Sequence, residues 1–272
     1  MNFYLNTFMG ERMNIFKPKS WIRFYSLEPA VPDLYPIISA HSLKRPWQES
    51  EVKKSKCPIS GLMSSSNCPG ITNISNAGYI MTAPADFIIT TSGDGLTFQW
   101  EVPYLFTRGG MSGYITKHDH NQTKPLLDNP DNTLKEIVKV ETPWRIKSSD
   151  DLVLLQIPVS YNNEKRFTAA TGIIDPKYAH VLNVQLFWHV LEGETFIKAG
   201  TPLVQYIPMS RKYLNLNTFE TIVDTAGDLE YNMEESFQYA NKCNSLRFDT
   251  VQSRINRVTE IFKRYRKPGV KL

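Results

Sequence analysis

Short runs in which apolar and polar residues alternate follow one another through the first 210 positions of the chain. Residues 21–27 and 95–102 alternate large apolar with polar side chains, which is typical of a strand with one buried face. Residues 152–159 are almost wholly apolar and predict a strand buried in the core. At least eight such runs, separated by turn residues, predict a mainly β domain built as a jelly roll, a β-barrel or a β-sandwich.

The stretch from residue 172 to residue 208 holds two further strand-like runs. In residues 181–190 the apolar side chains are interrupted by Asn183 and Gln185, and residues 195–207 form the second run. Pro202 has no N–H for a ladder hydrogen bond, so it marks a strand start or a bulge. Residues 191–194 supply a turn. This pattern predicts a β-hairpin of two adjacent antiparallel strands at the centre of the domain.

Turn and loop residues separate the other runs. Residues 78–91 and 95–102 flank Ser92-Gly93-Asp94-Gly95, and an Asp-Gly pair between β-prone runs predicts a hairpin. Three prolines within residues 28–36 predict a loop without a helix. Residues 44–56 are polar and charged, which predicts an exposed segment.

The composition changes after Pro208. An amphipathic helix is predicted over residues 245–267 because apolar residues recur there at helical spacing, namely Val251, Ile255, Val258, Phe262 and Tyr265. Residues 251–272 hold seven Lys or Arg and one Glu, a net charge of +6, whereas the rest of the chain sums to −2. The basic face of the helix includes Arg254, Arg257 and Arg264. Either the helix lies solvated on its own domain, or this face contacts an acidic partner, which would be nucleic acid or a second copy of the chain. Self-association or docking is expected rather than sequence-specific DNA binding.

These changes in composition predict three parts. Residues 1–19 form a flexible arm, residues 20–210 the β domain, and residues 211–272 a helical appendage. No window of eighteen apolar residues occurs, so no membrane-spanning helix is predicted. The amino terminus lacks the features of a signal peptide, and an odd number of cysteines, three, favours a reducing cytosol. A cytoplasmic location is therefore expected.

His118-Asp119-His120 is the clearest candidate for a metal site. Successive residues of a strand point to opposite faces, so only His118 and His120 could share an ion, with His189 completing the set. Residues 121–124 offer no carboxylate, which favours a solvated loop over a metal centre. No tightly bound transition metal is therefore expected to copurify.

Other catalytic and cofactor patterns are missing from the sequence. Cys57 and Cys68 are further apart than the usual pair of zinc ligands, and residues 108–113 are glycine-rich without a following lysine. No Ser-His-Asp order, Walker loop or Rossmann glycine pattern occurs. No cofactor is therefore expected.

Two motifs of the central stretch resemble the dUTPase and dCTP deaminase superfamily. They read Gly172-Ile173-Ile174-Asp175-Pro176-x-Tyr178 and Ile197-x-x-Gly200-Thr201-Pro202-Leu203-x-Gln205. The resemblance implies a distorted jelly-roll barrel and a nucleotide pocket near Asp175 and Tyr178. It also implies phosphate contacts from Arg145 and Ser149, although Arg145-Ile146-Lys147-Ser148-Ser149 departs from the family's Arg-Ser-Ser by two inserted residues.

The chain departs from that superfamily in two of its catalytic motifs. Gly78-Tyr79-Ile80 lacks the acid of the family's Gly-Tyr-Asp motif, and no glycine-rich arm follows Pro208. The chain is therefore expected to share the fold of this superfamily but not its catalytic activity.

The layout of the whole chain also resembles an uncharacterised family of β-rich proteins from tailed phages and bacteria. The shared features include Trp21-x-x-Phe24-Tyr25, Trp47, Lys56-Cys57-Pro58, Pro84-Ala85-Asp86-Phe87, Thr142-Pro143-Trp144 and the Gly200–Pro208 segment. This resemblance implies a viral origin, with the host cytoplasm or the virion as the location, and no assigned activity.

Three functions follow from these patterns. The first is a phage-type β-barrel protein that acts by binding or assembly, with a homo-oligomer or a phage protein as partner. The second is a nucleotide-binding protein or hydrolase of dUTPase-like descent that uses Asp175, Tyr178, Arg145 and Ser149. The third is a non-haem metal enzyme that uses His118, His120 and His189.

Overall fold

The computed structural model of the chain describes residues 20–49, 68–103, 113–127 and 129–245. Among these, residues 20–49 and 72–218 form one compact unit, and residues 68–71 and 219–245 belong to a second. The predicted arm (1–19), Cys57 and the predicted basic helix with Arg254, Arg257 and Arg264 lie outside the described residues.

The first sheet has five strands and is centred on one long strand, β7 (Ile137–Ser148). One side of β7 pairs with β1 (Ile22–Ser26) and with β6 (Ile115–His118). The other side pairs with β11 (Val181–Trp188), which in turn pairs with β9 (Phe167–Ala169). Every pairing is antiparallel.

The second and third sheets are also antiparallel. The second has the order β10 (Gly172–Ile174), β8 (Leu152–Ile157), β13 (Pro202–Ser210), β3 (Tyr79–Thr82) and β2 (Ile38–Ser39). The third has the order β12 (Glu192–Ile197), β4 (Phe87–Ser92) and β5 (Phe98–Glu101). The described strands close no barrel, and the prediction of a mainly β fold is confirmed.

Side chains from all three sheets meet in one hydrophobic core. Strand β11 contributes Leu182, Val184, Leu186 and Trp188, each fully buried, because alternate residues of a strand share a face. The second sheet adds Met81, Leu154 and Val204, and the third adds Phe87, Ile89 and Ile197. Burial of one face of each sheet against the others is the main source of stability for this arrangement.

Four of the described helices have eight residues or fewer, and the fifth has 18. They are α1 (Val31–Leu34), α2 (Pro46–Glu49), α3 (Pro69–Asn76), α4 (His120–Thr123) and α5 (Asp228–Ser245). Single 3₁₀ turns occupy Ala40–Ser42, Lys124–Leu126, Pro130–Asn132, Arg211–Leu214 and Leu216–Thr218.

The predicted central hairpin is wrong. Strands β11, β12 and β13 follow one another in the chain, yet each belongs to a different sheet. Strand β11 pairs with β7 and β9, β12 pairs with β4, and β13 pairs with β3 and β8. The turn between β11 and β12 therefore carries the chain from one sheet to the next.

The run over residues 78–91 is likewise divided between two sheets. It contains β3 in the second sheet and β4 in the third, separated by Ala83-Pro84-Ala85-Asp86. Proline cannot donate a ladder hydrogen bond, so the strand breaks there. The hairpin predicted around Asp94-Gly95 is confirmed, because β4 and β5 pair across it.

Two further expectations are corrected in the region before α3. The proline-rich segment contains one helical turn, α1, since proline is well tolerated in the first turn of a helix. Arg45, in the segment expected to be exposed, is fully buried. Its guanidinium donates to the backbone carbonyl groups of Ser160 (2.8 Å), Ala40 (3.1 Å) and Leu43 (3.3 Å).

Candidate functional site

A groove of about 270 Å³ is lined by residues of both the first and the second sheet. Strand β8 contributes Gln156 and strand β10 contributes the Gly172–Ile174 backbone. Strand β11 contributes Asn183 and Gln185. The groove therefore lies where the chain passes from the second sheet to the first.

The face of β11 toward the groove follows from the alternation of its residues. Leu182, Val184 and Leu186 are buried in the core, so Asn183 and Gln185 lie on the opposite face. The register between β11 and β7 shifts between Val181 and Asn183. The shift lies opposite Thr142-Pro143 of β7, where proline has no N–H for a ladder hydrogen bond. The Thr142 hydroxyl donates to the Leu182 carbonyl oxygen in place of a backbone N–H.

Two residues that line the groove have a buried acceptor atom without a hydrogen-bond partner among the described residues, namely Gln156 Oε1 and Asn183 Oδ1. The orientation of the Gln156 amide is fixed because its Nε2 donates to the Ala170 carbonyl oxygen at 2.8 Å, which leaves Oε1 as the unpaired end. An unpaired buried acceptor costs about 1–3 kcal/mol. The residues that line the groove thus include two acceptors whose hydrogen-bonding capacity is unused.

The loop after β10 is held by Asp175. Its Oδ1 accepts from Lys177 N at 2.9 Å, and its backbone carbonyl accepts from Tyr178 N and Ala179 N. Ala179 lines the groove, so this turn forms one wall of it. Tyr178 itself is 77 % exposed, with the Lys177 amino group 5.7 Å from its ring centre.

Arg211, which follows β13, fixes the same loop from the other side. Its guanidinium forms an ion pair with Asp175, with NH2 at 2.6 Å from Oδ1. Its Nε donates to the Asp150 carbonyl oxygen at 2.7 Å. The hydrogen bonds from Arg211 hold the pKa of Asp175 below its usual range, and the same contact raises the pKa of Arg211.

Arg145 and Ser149, the predicted phosphate contacts, hold backbone groups. The Arg145 NH1 donates to the carbonyl oxygens of Thr142 and Trp144, both at 3.0 Å. The Ser149 hydroxyl accepts from Trp21 N at 3.2 Å and so links the turn after β7 to the start of β1. Asp175 reaches that turn through Arg211. Among the described residues, no hydrogen bond or ion pair joins Asp175 with Arg145 or Ser149.

The three histidines predicted for a metal site lie in separate local settings. His118 ends β6, and its Nδ1 is 3.3 Å from Gln122 Oε1. His120 begins α4, which is capped by the Asp119 carboxylate. His189 follows β11, with Nε2 at 2.8 Å from Thr168 Oγ1 and Nδ1 at 3.3 Å from Thr133 Oγ1.

No group of three or more His, Cys, Asp or Glu side chains within the described ranges is placed to hold a metal ion. The described helices also include none that is both long and apolar enough to cross a membrane.

Sequence reasoning missed Gln156 and Arg211. Gln156 is the one polar side chain within the apolar run of residues 152–157, and an amide in a buried strand is a signal that could have been used. Arg211 carries no comparable signal, because a single arginine after a strand has no pattern around it.

Comparison with known proteins finds no matching family model and no matching curated protein.

Proposed function

We propose that the protein is a binding protein whose groove recognises a small planar molecule of the nucleobase type, through an exocyclic amino group. The observation that carries this proposal is the pair of unpaired, buried acceptors, Gln156 Oε1 and Asn183 Oδ1. An amino group has two N–H donors to offer to such oxygens. The resemblance of residues 172–178 to the nucleotide-binding motif of the dUTPase superfamily supports the same class of ligand.

The chemistry of the acceptors favours cytosine, adenine or guanine over uracil or thymine. Uracil and thymine present carbonyl oxygens where the other bases carry amino groups, so their lone pairs would face the Gln156 and Asn183 oxygens. A site that hydrogen-bonds an amino group rejects an analogue that lacks it.

Two features favour recognition of the base rather than of a triphosphate. The groove is small, and the nearby arginines already have hydrogen-bond partners. Pockets for drug-sized ligands span roughly 300–1,000 Å³. The groove, at about 270 Å³, suits a base and its sugar. Arg145 and Arg211 already donate to backbone carbonyls, and Arg211 is also paired with Asp175. The proposal therefore includes binding and no hydrolysis.

Calorimetric titration of the full chain with cytidine, adenosine, guanosine and uridine tests the proposal. We expect binding of at least one of the three amino-bearing nucleosides, with uridine weaker by about tenfold or more. Asn183→Leu removes one acceptor and should weaken that binding by about tenfold, whereas Gln99→Leu, an exposed amide on β5, should leave it unchanged.

Asn183→Leu has a second expected effect, on stability, which shows whether lost binding results from lost folding. Since it replaces an unpaired buried acceptor by an apolar group, the melting temperature of the free protein should stay the same or rise. Absence of nucleoside binding by the wild-type chain, or undiminished binding by Asn183→Leu, would show that the groove does not serve this function.

The phage-type assembly function remains a prediction. Its expected partner surface, Arg254, Arg257 and Arg264, lies outside the described residues. Deletion of residues 246–272, followed by light scattering and by a nucleic-acid retention assay at low salt, tests it. An unchanged number of subunits together with lost nucleic-acid binding would contradict self-association through this segment.

A further inference from the structure

A second, smaller pocket of about 220 Å³ lies between the loop after β8 and the start of β13. Tyr161, Asn162 and Asn163 of the loop line one side, and Phe167 and Thr168 of β9 line another. None of these residues lines the groove described above. The two sites are therefore built from different side chains.

The backbone of the loop is in an unusual conformation. Tyr161 and Asn163 both have a φ of 56°, in the left-handed region that asparagine tolerates and that a bulky residue such as tyrosine rarely adopts. Strain of this kind persists where surrounding contacts fix the chain, and it is often found at binding sites.

Partly buried polar contacts fix the loop at both of its ends. At the beginning, Ser160 N donates to Gln205 Oε1 at 3.3 Å, and the Ser160 carbonyl accepts from Arg45 Nε at 2.8 Å. At the end, Glu164 Oε1 accepts from Arg166 N and Nε at 2.9 and 2.8 Å. These contacts hold Tyr161 and Asn163 in place against the strain.

The side chains presented by the loop are polar and uncharged. Tyr161 is 49 % exposed, and the amides of Asn162 and Asn163 form no hydrogen bond with any described residue. Glu164, the one acidic residue of the lining, is paired with Arg166 at 2.6 Å. A neutral ligand therefore matches this pocket better than an ion does.

An aromatic ring beside free amides has the chemistry that recognises sugars. The C–H face of a pyranose ring packs on an aromatic ring, and a tyrosine offers both an apolar ring and a polar tip. Each sugar hydroxyl both donates and accepts, as each side-chain amide does. Phe167 and Pro202 add apolar surface to the lining.

We infer that this pocket binds a single neutral sugar unit, such as the terminal residue of a glycan. Tyr161 stacks against the sugar ring, and Asn162 and Asn163 hydrogen-bond to its hydroxyl groups. The left-handed backbone at Tyr161 is retained because it places the ring at the pocket.

Saturation-transfer NMR on the full chain with glucose, galactose, mannose and N-acetylglucosamine tests this inference. We expect saturation of the ring protons of at least one of these sugars. Tyr161→Gly keeps a backbone that accepts positive φ but removes the ring, so it should abolish the signal. Tyr178→Ala, at another exposed tyrosine, should leave the signal unchanged.

Stability measurements distinguish a functional loop from a structural one. Glycine relieves strain at position 161, so Tyr161→Gly should melt at the same temperature as the wild type or higher while it loses the sugar signal. Asn163→Gly, which also preserves the backbone, should weaken sugar binding by several-fold, and it decides the question if Tyr161→Gly folds poorly.

The outcomes also separate this pocket from the groove. Asn183→Leu should leave sugar binding intact, and Tyr161→Gly should leave nucleoside binding intact. No signal from any of the four sugars with the wild-type chain, or a full signal with both glycine variants, would overturn the inference.

Discussion

Arg211 and Asp175 lie 36 positions apart and form a two-pronged ion pair, in which NH1 contacts Oδ2 and NH2 contacts Oδ1. Arg211 also binds the turn between β7 and β8, since its backbone N donates to the Asp151 carbonyl oxygen at 2.8 Å. A single residue thus connects the end of β13, the turn after β7 and one wall of the groove. Bidentate geometry of this kind is specific to arginine.

This ion pair predicts a pH dependence of stability. The folded-state pKa of Asp175 is lowered by Arg211, so its contribution to stability is present above its ordinary pKa and is lost as the pH falls through the folded-state value. Asp175→Asn should therefore melt below the wild type at about pH 7, and the difference should shrink as the pH falls below the ordinary pKa of an aspartate, about 4.

Thermal melts of both proteins across that pH range measure the effect. Asp131→Asn, at an exposed aspartate of a 3₁₀ turn, serves as the control and should show a small difference at all values. A melting-temperature difference for Asp175→Asn that does not change with pH would contradict this assignment.

Leu186 tests the position of β11 inside the core. It is fully buried and lies opposite Val138 of β7 and Ala169 of β9. Leu186→Ala should lower the free energy of unfolding by about 2–5 kcal/mol. Leu186→Asp should destabilise more, because it buries a charge without a partner.

Urea denaturation measures both changes. Val223→Asp is the matched control, because Val223 is 93 % exposed, and its effect should stay within about 0.5 kcal/mol. A soluble Leu186→Asp protein with a normal unfolding curve would be incompatible with the assigned strand.

Gly78 and Gly95 both have positive φ, yet substitution should affect them differently. A Cβ at Gly78 would overlap the Tyr206 backbone carbonyl oxygen, whereas a Cβ at Gly95 would meet no atom within 4 Å. Gly95→Ala should lower the free energy of unfolding by about 1–2 kcal/mol, because the only unfavourable effect is the left-handed backbone of a residue with a Cβ. Gly78→Ala should cost more than about 3 kcal/mol, since β3 and β13 must also move apart.

Paired thermal and denaturant unfolding of the two variants provides the comparison. Equal losses of stability in Gly78→Ala and Gly95→Ala would indicate that the close approach of Gly78 to β13 is not maintained in solution.

Gln205 connects three separate segments. It is fully buried, its Oε1 accepts from Ser160 N, and its Nε2 donates to the carbonyl oxygens of Ile74 and Ala77, both at 2.8 Å. Gln205→Leu would remove all three of these hydrogen bonds and should cost about 2–4 kcal/mol. It should also lower the protection of the Ser160 amide against hydrogen exchange.

Exchange measured by NMR on wild type and variant tests this prediction, with Gln99→Leu as the control at an exposed amide. Unaltered protection of Ser160 N in Gln205→Leu would mean that another group holds the loop after β8.

Part of the groove could be predicted from the sequence. Asn183 and Gln185 interrupt an apolar run with a period of two, which places them together on the polar face of one strand. The turn at Asp175 is equally local, because its carboxylate and carbonyl accept from the residues that immediately follow. Gln156 and Arg211 join the groove only through strand pairing and a long-range ion pair, which no local pattern encodes.

The sequence by itself determined the mainly β class and the hairpin between β4 and β5. Alternation fixes which side chains share a face, and the Asp94 carboxylate turns the chain by accepting from Leu96 N at 2.8 Å. Only the tertiary structure decided that β11, β12 and β13 enter three different sheets, that Arg45 is buried and that Arg211 meets Asp175. The physical reason is that every residue offers the same backbone hydrogen-bonding groups, so these groups do not distinguish one strand partner from another. The pairing of strands is therefore decided by the arrangement of sheets that buries the most apolar surface.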